Sequence, residues 1–155
     1  MANEAAVLNK LAGQFPALDA QLAVVTERRI FVSVPETEIL HVLRYAKEEL
    51  GFTHLSAITG LDTGNGYEFL YHISGDEGIL LNVKYKTGGG EGVVIPSVLP
   101  LYEGATFYER ELEGLLGVHV DGLPEGRQYP LPDNWPAGEY PMRKDWVSAK
   151  RQEQA

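Results

Sequence analysis

Two stretches of strict alternation constrain this chain more than anything else in it. Tyr67, Phe69, Tyr71 and Ile73 alternate with Glu68, Leu70 and His72, and after the turn Ser74-Gly75-Asp76-Glu77-Gly78 the pattern resumes. Ile79, Leu81, Val83 and Tyr85 then alternate with Leu80, Asn82, Lys84 and Lys86. A period of two puts each set on one face of an extended strand. Strands joined by a short turn pair antiparallel. One face of that pair is rich in large apolar side chains and has to be covered by another layer.

Helical patterns flank the pair and can supply the cover. From Glu36 to Leu50, Ile39, Val42, Leu43, Ala46 and Leu50 recur at helical spacing, and Gly51 stands where a left-handed cap belongs. His41 falls on the opposite, polar side. Residues 2 to 14 carry Val7, Leu8, Leu11 and Ala12 on one face of a shorter helix ending near Gly13. Pro96 and Pro100 bracket the entry to a last helix from Leu101, with Ala105, Tyr108, Leu112, Leu115 and Leu116 as its stripe. Two further strands are expected, at Arg29–Val34 and at Thr53–Thr59. The stretch "GLDTGNGY", with Asn65-Gly66, reads as the turn after the second. The expectation is an α+β fold: a two-layer sandwich with a mainly antiparallel sheet of about four strands and helices on one face.

Beyond Gly117 the character changes. Pro124, Pro130, Pro132, Pro136 and Pro141 are too closely spaced for a helix or a central strand. Residues 1–123 are therefore expected to form the sandwich domain and residues 124–155 an extended, proline-spaced, partner-binding tail, frayed over "SAKRQEQA". At 155 residues the chain has the length of one domain.

Charge and composition exclude several functions. A formal net charge of −9 leaves no basic patch with which to neutralise phosphates or an anionic membrane surface. With no cysteine, thiolate catalysis and cysteine-ligated clusters are excluded, and a cytoplasmic setting is expected. The first residues, "MANEAAVLNKLAGQF", lack a signal-peptide core, and no window approaches the roughly 20 apolar residues of a membrane span. Membrane association would have to come through partners.

The candidate chemistry is sparse. Gly88-Gly89-Gly90-Glu91-Gly92 lacks the Gly-Lys-Ser/Thr ending of a phosphate loop, and Glu91 would repel an anion, so it reads as a flexible strand-to-helix connection. His41, His54, His72 and His119 show no metal-ligand spacing. Asp62 sits in the expected turn as a turn-stabilising carboxylate or, less simply, a general base. In "FYERELEGLLG", a projection at roughly 100° per residue with Leu101 at zero puts Glu109 near one margin of the apolar stripe and Glu111 near the other. Arg110 points to the back. Opposite margins are poor geometry for two carboxylates sharing a proton. Each can instead meet an Arg or backbone amides, in this domain or in a neighbouring chain.

From these residues onward the sequence resembles a known family: the 30-kDa (C-type) subunit of respiratory complex I and its relatives in membrane-bound [NiFe] hydrogenases. Its signature, E-R-E-x-x-D followed by two hydrophobic residues and Gly, is similar to Glu109, Arg110, Glu111, Leu115, Leu116, Gly117 and Val118. Gly122, Pro124, Arg127, Pro132, Asp133, Trp135, Pro141, Met142, Arg143, Lys144 and Asp145 follow in the family's order. "VIPSV" (Val94 to Val98), Ala105, Phe107 and "YEFLYHIS" fit the upstream portion, so the resemblance covers residues 30 to 146. Gly114 departs from it where the signature has an acid, and Leu123 where it has a histidine. With the chain ending soon after Asp145, these departures favour the hydrogenase-type relatives.

The resemblance implies a subunit with no catalytic site, cofactor or metal of its own. Iron–sulfur clusters, and a nickel–iron centre or quinone site, are expected in partner subunits. The implied partners are the large catalytic subunit and a small iron–sulfur subunit, in a complex peripheral to the cytoplasmic membrane. Partner contacts are expected at Glu109, Glu111, Arg127, Trp135, Arg143, Lys144 and Asp145, with Trp135 equally able to anchor the tail on its own domain. A free-standing small enzyme would instead bring Asp62, the histidines or Glu109 and Glu111 together in one pocket. A soluble assembly or regulatory module is the third reading.

Overall fold

The computed structural model describes residues 4–148, without the side chains of residues 19 and 20. The expected helix entry at residues 2 and 3 and the expected frayed end from residue 149 lie outside the described residues. In chain order the elements are α1 (Glu4–Gln14), β1 (Leu22–Thr26), β2 (Arg29–Ser33), α2 (Ile39–Leu50), β3 (His54–Asp62), β4 (Tyr67–Ser74), β5 (Leu80–Lys86), β6 (Val94–Pro96), α3 (Ala105–Leu116) and β7 (His119–Asp121).

The two alternating stretches become the centre of the sheet. β4 and β5 pair antiparallel with Phe69 opposite Tyr85 and Tyr71 opposite Val83. Tyr67, Phe69, Tyr71, Ile73, Leu81, Val83 and Tyr85 all point into the core. Their rings pack on one another, Phe69 and Tyr85 with centroids 5.4 Å apart. α2 lies against β5 and α3 against β3, and Phe15, just after α1, packs edge-on to Tyr45 of α2. The other side of the sheet carries half-exposed side chains such as Leu70, His72 and Lys84. This is the expected α+β architecture with its helices on one face.

The sheet is larger than expected, with five strands in the order β1-β2-β5-β4-β3. β1 escaped the sequence reading because, as an edge strand, it has no buried alternation: Val24 and Val25 are both exposed. It forms through a tight hairpin in which Arg28 takes a left-handed conformation, φ 61°. The β2–β5 pairing is parallel. α2 carries the chain across, and the β3–β4 hairpin is laid down beyond the place that β5 then fills. A separate two-stranded parallel ladder, β6 with β7, places Ile95 and Val120 in the core.

Three local boundaries also shift. β3 runs on through Gly60-Leu61-Asp62 rather than turning there. Gly60 lies in the strand because a Cβ would come within 2.6 Å of both Leu112 Cδ2 and Leu116 Cδ1, so its bareness lets α3 settle onto β3. The glycine run after β5 leads to a strand rather than a helix; within it Gly89 is closely packed, a Cβ there lying 3.0 Å from Gly66 Cα, while Gly88, Gly90 and Gly92 have open space around them. Finally, α3 begins at Ala105, since Leu101 and Tyr102 donate their amides to the Val98 carbonyl in a preceding turn.

Candidate functional site

α3 gathers polar contacts from several parts of the chain. Glu109, expected at the margin of a partner surface, is instead inside, 1% exposed. The true buried face explains this, because Ala105, Glu109, Leu112 and Leu116 share it while Tyr108 and Leu115 are only half-buried. Its two oxygens are taken within the chain: Ser97 Oγ donates to Oε2 at 2.7 Å and the Val98 amide to Oε1 at 2.6 Å. Burial pushes the carboxyl above its usual range, the charge of Glu113 adds to that, and the Ser97 and Val98 hydrogen bonds oppose it. Glu109 thus locks the β6–α3 connection onto the helix. Glu113, one turn on, accepts the Val120 amide at 2.9 Å and so holds β7.

The tail is strapped over the far side of the same helix. Arg110 donates to the Pro124 carbonyl at 2.7 Å. Further along, Met142 donates its amide to the Leu115 carbonyl at 3.0 Å. Arg143 donates through Nε to Leu116 O at 2.6 Å while its guanidinium lies over the Tyr140 ring. These are the free carbonyls of a helix C-terminus, so a cation there also meets the negative end of the helix dipole. Gly117 closes the helix with φ 72°. Between these attachments Tyr129, linked to Pro130 by a cis peptide bond, crosses Gly114. A Cβ on Gly114 would lie 2.9 Å from the Tyr129 carbonyl oxygen. Gly114, one of the two residues that depart from the family signature, is therefore a point where the tail backbone crosses the helix closely.

The tail also has an internal anchor. The indole N–H of Trp135 donates to the Glu139 carbonyl at 2.8 Å, that of Trp146 to the Glu139 carboxylate at 3.2 Å, and the two rings stand 6.0 Å apart. Arg127 pairs with Asp133 at 2.8 Å on the surface, and Lys144 and Asp145 are exposed. Asp62 belongs to this assembly as well, since its carboxylate accepts the Gly64 amide at 2.7 Å and the Lys144 amide at 2.9 Å. Those amides, Lys144 first, hold its pKa below the usual aspartate value. The stabilisation is present above that value and lost as pH falls through the lowered one. Asp62→Asn keeps only one oxygen for two donors, so limited proteolysis at neutral pH should cut the Lys144 region faster. Unchanged protection would show that Asp62 does not hold the tail.

Asp62, the four histidines, Glu109 and Glu111 are spread over α2, β3, β4, α3 and β7. His41 sits on α2 beside Glu38, 3.2 Å away, and His119 lies on β7 near Glu113. His72 is on the open side of the sheet with both ring nitrogens engaged. Asn82 donates to the Ile30 carbonyl, which fixes its oxygen as the acceptor for His72 Nδ1–H at 2.6 Å, while Thr59 Oγ1 meets Nε2 at 2.9 Å. Glu111 is half-buried at the opposite side of α3 from Glu109. Among the described residues no group of three or more His, Asp and Glu side chains could hold a metal ion, and no helix is long and apolar enough to cross a membrane.

Sequence reasoning missed Arg110, Ser97, Tyr140, Trp146 and Asp62 as parts of this assembly. The position of Arg110 at the back of the helix was the usable signal, because a proline-spaced tail has to lie against something.

This one-sided α+β sandwich with its strapped tail has a counterpart in a solved structure. It matches a chain of the membrane-bound sulfane sulfur reductase, an archaeal respiratory membrane complex, with a TM-score of 0.85 and 25% identity, over 97% of this chain and 89% of that one. The chain belongs to the family described as respiratory-chain NADH dehydrogenase, 30 Kd subunit, whose model matches residues 32–152. It is 32% identical over 143 residues to a subunit of the F(420)H(2) dehydrogenase of Methanosarcina mazei, covering 90% of this chain and 89% of that protein. To the beta subunit of the membrane-bound hydrogenase of Pyrococcus furiosus it is 27% identical over 147 residues, covering 90% and 83%.

Proposed function

We propose that this chain is a non-catalytic, hydrophilic-arm subunit of a membrane-associated oxidoreductase complex of the energy-converting hydrogenase or NADH:quinone oxidoreductase type. In this reading it supports the large catalytic subunit and a small iron–sulfur subunit in electron transfer. It holds no redox centre itself; the iron–sulfur clusters and the nickel–iron or quinone site belong to those partners. It sits on the cytoplasmic side, peripheral to the membrane. The observation that carries the reading is the family match, which runs through both the sandwich and the tail.

The tail and the exposed flank of α3 are the proposed docking elements, with Glu111, Arg127, Trp135, Lys144 and Asp145 as contacts. Arg143 acts by holding the tail in shape. Glu109 is withdrawn from this set because its oxygens are already taken within the chain.

The test is truncation after Pro130. Among the described residues, every buried core residue lies at or before Val120, so the shortened chain should fold with a cooperative melt. It should no longer co-purify with the large subunit of its complex. Co-purification at the full-length level would remove the tail from the interface.

A further inference from the structure

We propose that the free edge of β3, in the cleft beneath α3, is a strand-addition site for an extended, apolar segment of the large catalytic subunit that carries one cationic residue. The proposal rests on the reading that the chain is a complex subunit and specifies the chemistry of one contact.

β3 is the last strand of the main sheet and, among the described residues, pairs only with β4. Within the same residues, the backbone of Ala57–Leu61 makes no backbone hydrogen bond other than those to β4. Such an edge presents a row of N–H and C=O groups that another strand can pair with. Proteins usually blunt it with a lysine, a proline or an inward-pointing charge. β3 reads His-Leu-Ser-Ala-Ile-Thr-Gly-Leu-Asp; its register shift, another such device, is confined to Leu55–Ala57 near its start, and Ala57–Leu61 carry no lysine, proline or charge. Its terminal Asp62 is already engaged with Gly64 and Lys144.

The edge also forms the floor of a cleft of about 310 Å³, roofed by Tyr108, Glu111 and Leu115 of α3 and lined as well by Met142 of the tail. Tyr108 reaches over to donate to the Ser56 carbonyl at 2.8 Å, so the free edge begins after Ser56. Five strand residues line the cleft, so an added segment would pair over roughly five residues. Leu61, 44% exposed, and Met142, 53% exposed, would be covered by apolar side chains of the newcomer. Among the described residues, Glu111 is the only charged one lining the cleft. No hydrogen bond or ion pair engages its carboxylate within that same set. A carboxylate alone on an apolar rim selects a segment that places Lys or Arg against it.

The experiment co-expresses the full chain with the large subunit of its complex and measures their affinity. Glu111→Lys and Leu61→Lys are compared with the wild type, with melting curves to check that each folds. Both should weaken binding by about tenfold or more. A photo-cross-linker at position 61 should mark a stretch of the large subunit with alternating apolar residues and a Lys or Arg. Reversing that cation to Glu should restore the binding of Glu111→Lys. Wild-type affinity in both variants, or cross-links to a second copy of this chain, would overturn the edge proposal. The subunit reading would still stand if the tail truncation abolished binding. A wild-type chain that never co-purifies would sink both.

Discussion

Glu109→Ala is expected to cost about 2–4 kcal/mol of folding stability, read as a lower denaturant midpoint at an unchanged slope. The substitution strands two buried donors, the Val98 amide and the Ser97 hydroxyl, that now end on the carboxylate. It also leaves a gap between α3 and the β6–α3 connection. A loss under about 0.5 kcal/mol, the range of ordinary surface substitutions, would mean that water takes over both bonds. Glu109→Gln separates the charge from the hydrogen bonds. Because burial raises the pKa of Glu109 in the folded protein, the folded state favours the protonated form. The stability of the wild type relative to Glu109→Gln should therefore be greatest below the unfolded-state pKa. It should decline as pH rises through the folded pKa, then level off. A difference that grew with pH would show that the hydrogen bonds outweigh burial.

Gly114→Asp should free the tail while leaving the core intact. Replacing a mid-helix glycine normally helps, by about 1 kcal/mol for alanine. Here that gain meets a backbone obstacle, because the new Cβ would sit 2.9 Å from the Tyr129 carbonyl oxygen. A carbonyl in the chain cannot rotate aside as a flexible side chain can, so the tail has to lift off. A carboxylate placed beneath that oxygen adds repulsion. The expected result is cleavage in the Gly126–Tyr129 region faster by about tenfold, an apparent local stability lower by about 1.4 kcal/mol. The melting transition of the core should shift little. Gly114→Ala should fall between the two. If the tail of Gly114→Asp stays as protected as the wild type, the close crossing over Gly114 does not hold in solution. The position that departs from the family signature would thus be a clearance for this chain's own tail.

Much of the fold was legible because burial leaves a period in the sequence. Tyr67 to Tyr85 could hardly be anything but a hairpin, and Ile39 to Gly51 announced both the face and the end of α2. What stayed hidden lacked that period. β1 is an exposed edge strand, and β6 and β7 are three residues long. The parallel β2–β5 pairing is a topological fact that local patterns do not carry. The candidate site was legible as a set of residues but not as a geometry. Counting the half-buried Tyr108 and Leu115 in the core stripe moved its centre away from Glu109. The tail's irregularity was plain from its prolines, but its path across α3 depends on Gly114 and Arg110, whose spacing from Tyr129 and Pro124 follows no repeat.

The parallel pairing of β2 with β5 also sets an order of assembly. Ile30 and Asn82, joined across that ladder, are 52 positions apart. β1 and β2 can close as a hairpin while the rest of the chain is still being made, but a lone two-stranded hairpin is marginally stable in water. Its inner neighbour does not exist until synthesis has passed Lys86. Contacts that distant form late and slowly. Until then the first quarter of the chain carries Val24 and Val25 on one edge and an unpaired β2 on the other. During synthesis, that segment therefore presents an unpaired strand edge until β5 arrives, the kind of surface that chaperones shield.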